Sequence, residues 1–170
     1  MGYVTNRVGQ IINRHTAKKG FTLIEILVVI GIIAILATIV IIAINPARQF
    51  AQARNTDRMS SVNAILNAIG QRIADNRGIF ASSGGCPTLS NTASAIDAAA
   101  GGGVGHIDLG TNCLVPTYIP TLPTDPSSTS TVATGYTVTV DANGRVTVCA
   151  PNATAETAIG PGQTAICVTR

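Results

Sequence analysis

Residues 18–48 read KKGFTLIEILVVIGIIAILATIVIIAINPAR, and this stretch decides the fold. Within it, residues 26–44 are apolar except at Gly31 and Thr38. A helix of about 20 apolar residues is long enough to cross a bilayer. One carboxylate, Glu25, stands at the start of the apolar run, and a charge inside a membrane-spanning segment costs about 2.5–3.5 kcal/mol. The stretch therefore predicts a membrane helix whose single glutamate has a specific role.

Two common kinds of hydrophobic segment explain this stretch only in part. A secretory signal peptide has an apolar core of about 7–15 residues followed by a small-residue cleavage site. Here the apolar run is longer, and the candidate site A-Q-A at residues 51–53 lies beyond Pro46. A plain single-pass anchor fits the length but explains neither Glu25 nor the polar tract before it. Snorkelling of Glu25 to the membrane interface is the alternative that the anchor hypothesis offers.

The octapeptide K-K-G-F-T-L-I-E resembles the processing site of type IV prepilins and of the related type II secretion pseudopilins. Lys18, Lys19 and Gly20 match the basic leader that ends in glycine and is recognised by the processing enzyme. Phe21 matches the first residue of the mature protein, and Glu25 matches the glutamate at its fifth position. The resemblance implies that a prepilin peptidase cleaves between Gly20 and Phe21 and that Phe21 is then N-methylated.

The resemblance also implies the partners and the location of the protein. It implies a homo-oligomeric filament with other pilins, served by a peptidase/N-methyltransferase, an assembly platform and an ATPase. The subunit would cross the inner membrane once and then join an extracellular filament. Inside the filament, Glu25 could neutralise the new amine of Phe21 on a neighbour and fix the axial register, because a misplaced subunit leaves both charges unpaired.

The charge distribution and the composition exclude several classes of function. The net charge is +3. Four basic residues precede Gly20, and the chain from Phe21 onward contains seven Lys/Arg and eight Asp/Glu. The basic N-terminus is expected to stay in the cytoplasm, and no basic patch suggests nucleic acid as a partner. We find no catalytic constellation and expect neither an enzyme nor a cofactor. The alternative function is a membrane-tethered extracytoplasmic binding module with an uncleaved signal anchor.

After the apolar run the chain is expected to continue as an amphipathic helix. Proline removes a helix donor, so a kink or a break is expected at Pro46. The helix is expected to end near Asn76, with Gly78 as its C-cap. Its charged residues, which include Arg58 and Arg72, are expected to be solvated. The apolar stripe expected to pack on a sheet consists of Phe50, Ala53, Val62, Ile65, Leu66, Ile69 and Ile73.

Residues 81–131 are low in charge and rich in Gly, Ser, Thr, Ala and Pro. A short helix is expected near residues 93–100. His106 with Asp108 is interpreted as part of a surface loop, and no metal site is expected. Leu122, Pro123, Asp125 and Pro126 resemble a Leu-Pro-x-Asp-Pro stretch of some pseudopilins and pilins. Calcium is bound after that stretch in some pseudopilins, but the residues that follow here are Ser and Thr, so that site is not expected.

The C-terminal part of the chain carries the strand pattern. Valines alternate with threonines on both sides of the turn Asp141–Gly144, and residues 164–169 predict a third strand. The predicted fold class is α+β and pilin-like, a long N-terminal helix packed on a small antiparallel sheet. The predicted organisation is a leader (1–20), an apolar half-helix (21–45), an amphipathic half-helix (46–78), an αβ-loop region (79–131) and the sheet with a disulfide region (132–170).

Four cysteines follow the apolar segment: Cys86, Cys113, Cys149 and Cys167. An even number in a translocated domain favours two disulfides, and four cysteines allow three connectivities. Chain order and the predicted strands favour Cys86–Cys113 with Cys149–Cys167, and the alternative is free buried thiols.

Overall fold

The computed structural model describes residues 20–81, 85–99 and 103–170. The basic leader residues Lys18 and Lys19 lie outside the described residues. The chain divides into two units between Ile44 and Asn45. We call residues 45–170 the head.

The first unit contains helix α1, Leu23–Ile44. At about 1.5 Å per residue, its 22 residues extend about 33 Å. The Oγ1 atom of Thr22 accepts a hydrogen bond from the backbone N–H of Glu25 at 3.2 Å, so Thr22 caps the helix. No residue of α1 is buried.

Helix α2 comprises Pro46–Asp75, so the helical chain is interrupted at Asn45. Asn45 has a φ of 45° and its side chain accepts a hydrogen bond from the backbone N–H of Arg48, which makes it the N-cap. Pro46 occupies the first helical turn, where its missing N–H costs nothing. At the other end, the backbone N–H of Gly78 donates to the carbonyl of Ile73 at 2.8 Å and closes the last turn.

The head contains a five-stranded sheet. Its strands are β1 (Ser94–Asp97), β2 (His106–Asp108), β3 (Ala133–Val140), β4 (Val146–Ala150) and β5 (Ile166–Thr169). They lie in the order β2-β1-β3-β4-β5. A short 3₁₀ helix, Pro151–Ala155, connects β4 to the segment that leads to β5. The α+β fold with a long N-terminal helix and a small sheet is therefore confirmed.

Two details of the prediction are wrong. The sheet is mixed rather than antiparallel, because β1 and β2 pair in parallel while the other neighbours are antiparallel. The segment 93–100, expected to be a short helix, contains β1 instead. Its alanines favour a helix, but Ile96 is fully buried in the core and β1 hydrogen-bonds to both β2 and β3, so tertiary contacts override the local propensity.

Helix α2 packs against β4 and β5. The predicted stripe on α2 is correct from Val62 to Ile69, and Ile73 is half-buried. It is wrong at Phe50 and Ala53, which are exposed. The buried positions that continue the stripe toward the N-terminus are Arg58 and Ala51, both fully buried. The rest of the core comes from the sheet and its connections: Ile96, Leu109, Leu114, Tyr136, Val138, Val146 and Val148.

Two disulfides fasten the loops of the head. Cys86 is bonded to Cys113, and Cys149 on β4 is bonded to Cys167 on β5. This is the connectivity that chain order favours. The first links the segment after α2 to the segment after β2, and the second joins neighbouring strands at directly opposed positions.

Candidate functional site

The start of α1 presents the residues of the expected processing site. Gly20 and Phe21 are exposed, and 80% of Phe21 is accessible to solvent. Thr22 and Glu25 stand in the arrangement of a capping box, in which a threonine precedes an acidic residue by three positions. The carboxylate of Glu25 lies in the first helical turn, where the helix dipole favours a negative charge. Gly20 and Phe21 are therefore both solvent-exposed, and Phe21 lies four residues before the carboxylate of Glu25.

The surface of α1 consists of apolar side chains that nothing in the described chain covers. Leucines, isoleucines and valines along the helix are about half-exposed or more. Among the described residues, α1 is the one helix long and apolar enough to cross a membrane, by length and composition. Apolar surface left in water costs about 25 cal/mol per Å². The helix therefore needs lipid or other protein around it.

A second constellation lies in the head, where α2 meets two distant segments. We call Arg54, Arg58, Asp125 and Glu156 the arginine clasp. Arg58 donates from Nε to Oδ2 of Asp125 at 2.7 Å and from Nη1 to Oε1 of Glu156 at 2.6 Å. Arg54 donates from Nε and Nη2 to the two carboxylate oxygens of Glu156 at 2.7 and 2.5 Å. The prediction that Arg58 is solvated is wrong, because its side chain is fully buried.

Further oxygen atoms complete the surroundings of the Arg58 guanidinium. Nη1 also donates to Oδ1 of Asn55 at 2.8 Å, and Nη2 donates to Oγ of Ser127 at 3.0 Å and to Oδ1 of Asp125 at 3.2 Å. The two arginines balance the two carboxylates. A buried charge that is paired and hydrogen-bonded in this way avoids the penalty of an isolated one.

The arrangement changes the acidity of both carboxyl groups. Burial by itself would raise the pKa of Asp125, but hydrogen bonds from Arg58 and Ser127 outweigh it and lower the pKa to about 2. The hydrogen bond from Arg54 is the main reason why the pKa of Glu156 falls to about 2. Burial opposes the charge on Arg58, yet its two carboxylate partners raise its pKa above the ordinary value. Both carboxyl groups therefore stay ionised below the pH at which ordinary Asp and Glu side chains take up a proton.

The chain carries the prokaryotic N-terminal methylation motif. The match covers residues 15–41, from the basic leader well into α1. This motif is the class III signal of type IV pilins and pseudopilins, so the resemblance noted at K-K-G-F-T-L-I-E is confirmed. No curated protein and no solved structure matches the chain.

The methylation motif and the exposed apolar helix together indicate a membrane-anchored, pilin-like precursor. Proteins with this motif are structural, usually not enzymes, and generally assemble into filaments with other pilins after processing. The roles of Gly20, Phe21 and Glu25 within this pilin-like chain remain predictions.

The head contains a second buried guanidinium. Arg72, also expected to be solvated, is 6% exposed, so that prediction is wrong as well. It donates from Nε to the carbonyl of Phe80 at 3.1 Å and from Nη1 to the carbonyl of Cys113 at 3.3 Å, and it lies over the Phe80 ring. Arg72 therefore holds the segment after α2 and the Cys86–Cys113 disulfide against the helix.

The other polar residues singled out in the sequence do not come together in one site. The interpretation of His106 and Asp108 as part of a surface loop is wrong, because both belong to strand β2. The Nδ1 of His106 lies 3.0 Å from Oδ1 of Asp97, while Asp108 accepts hydrogen bonds from the backbone N–H groups of Gly110 and Thr111. Asp141 holds the β3–β4 turn through Arg145. Within residues 20–81, 85–99 and 103–170, no group of three or more His, Cys, Asp or Glu could hold a metal ion.

Sequence analysis missed the arginine clasp, although two signals point to it. Arg54 and Arg58 are four residues apart on one helix, where like charges repel each other unless an acidic group lies between them. Arg58 also falls in phase with Ala51, Val62 and Ile65, at the spacing of seven, four and three residues that defines the buried face.

Proposed function

We propose that the protein is a structural subunit of a type IV pilus or of a pseudopilus. In this proposal a prepilin peptidase cleaves after Gly20 and Phe21 is N-methylated. The subunit waits in the inner membrane through α1 and is then built into an extracellular helical filament by an assembly platform and an ATPase. The observation that carries the proposal is the methylation motif at the start of an apolar helix none of whose residues is buried.

The polymerising element in this proposal is α1. Its side chains are uncovered along all 22 residues, so copies packed side by side would bury them and remove the free-energy cost of exposure. In such a dry core, the carboxylate of Glu25 needs a positive partner. The amine created at Phe21 supplies one when it comes from a neighbouring subunit. This pairing would be satisfied at a single axial offset between the subunits, because any other offset leaves two buried charges unpaired.

A second candidate is a membrane-tethered extracytoplasmic binding module with an uncleaved anchor. One observation favours it: Glu25 stands three residues after the N-cap Thr22, the position that an acidic residue also occupies at the start of an ordinary anchor helix. In that case the leader stays attached, the N-terminus is unmethylated, and Glu25→Ala has no effect beyond the helix end.

The mass of the N-terminal peptide, measured on protein from cells that contain the peptidase, tests the proposal. A peptide that begins at N-methylated Phe21 supports it, and a chain that retains residues 1–20 contradicts it. Filament recovery from cells that express Glu25→Ala is the second measurement. We expect processing to continue and filaments to be lost. Thr38→Ala is the matched control, because it removes a polar side chain that bonds only within α1, to the carbonyl of Ala34.

A further inference from the structure

The arginine clasp is placed where the chain enters the head. Residues 41–50 are exposed throughout, and Ala51 is the first buried residue after Asn45. Arg54 and Arg58 follow within two turns. The clasp therefore contains the first side-chain ion pairs between α2 and the rest of the head, counted from the side of α1.

The two carboxylates of the clasp lie on two different segments that lead into the sheet. Asp125 precedes β3, and its backbone N–H donates to the carbonyl of Thr134 on that strand at 2.7 Å. Glu156 follows the 3₁₀ helix on the connection between β4 and β5. A displacement of Arg58 therefore acts on β3 through one carboxylate and on the β4–β5 connection through the other.

Ion pairs of this geometry resist sliding in a way that the apolar core does not. Apolar contacts are non-directional, so a helix that shifts along its axis can exchange one such contact for another. The guanidinium of Arg58 binds five oxygen atoms in fixed directions. A shift of α2 by one turn, about 5.4 Å, would remove it from Asp125 and Glu156 and leave buried charges unpaired.

We propose that the arginine clasp is a mechanical lock, which fixes the axial register of α2 in the head and transfers a pull applied through α2 to the sheet. This inference rests on the proposed function in one respect, the origin of the load. In a filament held together by α1, the load passes from α1 through Asn45 into the head. The pull then reaches the clasp before it reaches the apolar contacts of Val62, Ile65 and Ile69.

Single-molecule pulling on the full chain in detergent tests the lock, with handles attached through unnatural amino acids. In the first geometry the handles are at Ala47 and Asn143, so the force enters through α2. In the second they are at Asn91 and Thr111, which flank β1 and β2, so the force loads that edge of the sheet and passes through neither α2 nor the β4–β5 connection. The variants are Asp125→Asn and Glu156→Gln, with Asp75→Asn as control, since Asp75 is an exposed carboxylate at the far end of α2.

We expect Glu156→Gln and Asp125→Asn to raise the rupture rate at constant force at least ~10-fold in the first geometry. In the second geometry we expect the same variants to change the rupture rate less than ~2-fold, the size typical of weak surface interactions. We expect the control variant to change the rupture rate less than ~2-fold in both geometries. Equal acceleration in both geometries would show a general loss of stability and overturn the proposal. An unchanged rate in the first geometry would overturn it as well.

Two features keep this test independent of folding and of the proposed function. If Asp125→Asn fails to fold, Glu156→Gln and Arg54→Gln alter the more exposed side of the clasp, because the Arg54 side chain is 38% exposed. Pulling on single chains needs no filament. An unmethylated N-terminus would contradict the filament proposal and leave the pulling result valid.

Discussion

Asp125 lies against the bare Cα of Gly135: a Cβ atom added to Gly135 would be 2.7 Å from the Cβ of Asp125. Gly135 has a φ of +85°, a backbone conformation that side-chain-bearing residues rarely adopt. Glycine at this position therefore leaves the space that the buried Asp125 occupies while it pairs with Arg58. The contact links the backbone of β3 directly to the arginine clasp.

We predict that Gly135→Ala destabilises the head through two costs. An alanine at positive φ costs about 1–2 kcal/mol, and its methyl group would also displace Asp125 from Arg58. Gly144→Ala is the matched control, because Gly144 has a φ of +79° and nothing within 4 Å of an added Cβ. Chemical denaturation of the full chain in detergent measures the free energy of unfolding. Equal losses in the two variants would show that the contact with Asp125 has no energetic weight.

We predict that the head loses stability in acid over the range set by the clasp. The folded pKa of Asp125 is lowered from 3.8 to about 2, and that of Glu156 from 4.5 to about 2. Because the folded pKa values lie below the unfolded ones, the contribution is complete above the unfolded values. It is lost as the pH falls from roughly 5 to 2. Thermal melting of the full chain across this range measures the effect.

The double variant Asp125→Asn/Glu156→Gln is the control for this pH dependence. It removes both titrating groups, so its melting temperature is expected to be lower at pH 7 and to change less between pH 5 and pH 2 than that of the unaltered chain. A variant that keeps the full acid dependence would show that other carboxyl groups cause it.

Helix α2 shows what a sequence pattern can and cannot predict. The positions of Val62, Ile65 and Ile69 follow from helical spacing, because burial of an apolar face depends on local periodicity. The burial of Arg58 depends on Asp125 and Glu156, which are 67 and 98 residues away. Periodicity assigns a charged residue to solvent unless its partner is known, so the clasp could not be predicted from the helix alone.

The strands of the sheet also differ in how far the sequence predicts them. The hairpin of β3 and β4 is predictable, because alternating Val and Thr surround a local turn that begins at Asp141. Strand β1 is not, since the alanines of the segment 93–100 around it favour a helix, and the strand forms only between β2 and β3. At the N-terminus, by contrast, the octapeptide around Phe21 is a local signal, and it was sufficient to predict the methylation motif.

We predict that Arg72→Lys destabilises the head by about 1.5–3 kcal/mol, the range for hydrogen bonds that involve a charged group. Lysine has no planar fork and cannot reach the carbonyls of Phe80 and Cys113 together. Arg77→Lys is the matched control, because Arg77 is an exposed arginine at the end of the same helix. Urea denaturation of both variants measures the difference. Similar stabilities would show that Arg72 is buried only for its aliphatic stem.

The last prediction separates the two roles that the structure allows for Glu25. Glu25→Gln keeps a side chain that can complete the capping box with Thr22 but removes the negative charge. Thr22→Val does the reverse: it removes the hydroxyl that accepts from the Glu25 backbone and keeps the charge, at a cost of about 1 kcal/mol in helix stability. If Glu25 neutralises the amine of a neighbouring subunit, Glu25→Gln is processed at Gly20 but yields no filaments, whereas Thr22→Val still assembles. Quantitative recovery of sheared filaments, with the N-terminal mass as the control for processing, distinguishes the two variants. The opposite result, assembly of Glu25→Gln and failure of Thr22→Val, would mean that Glu25 serves the helix end and that another interaction sets the register.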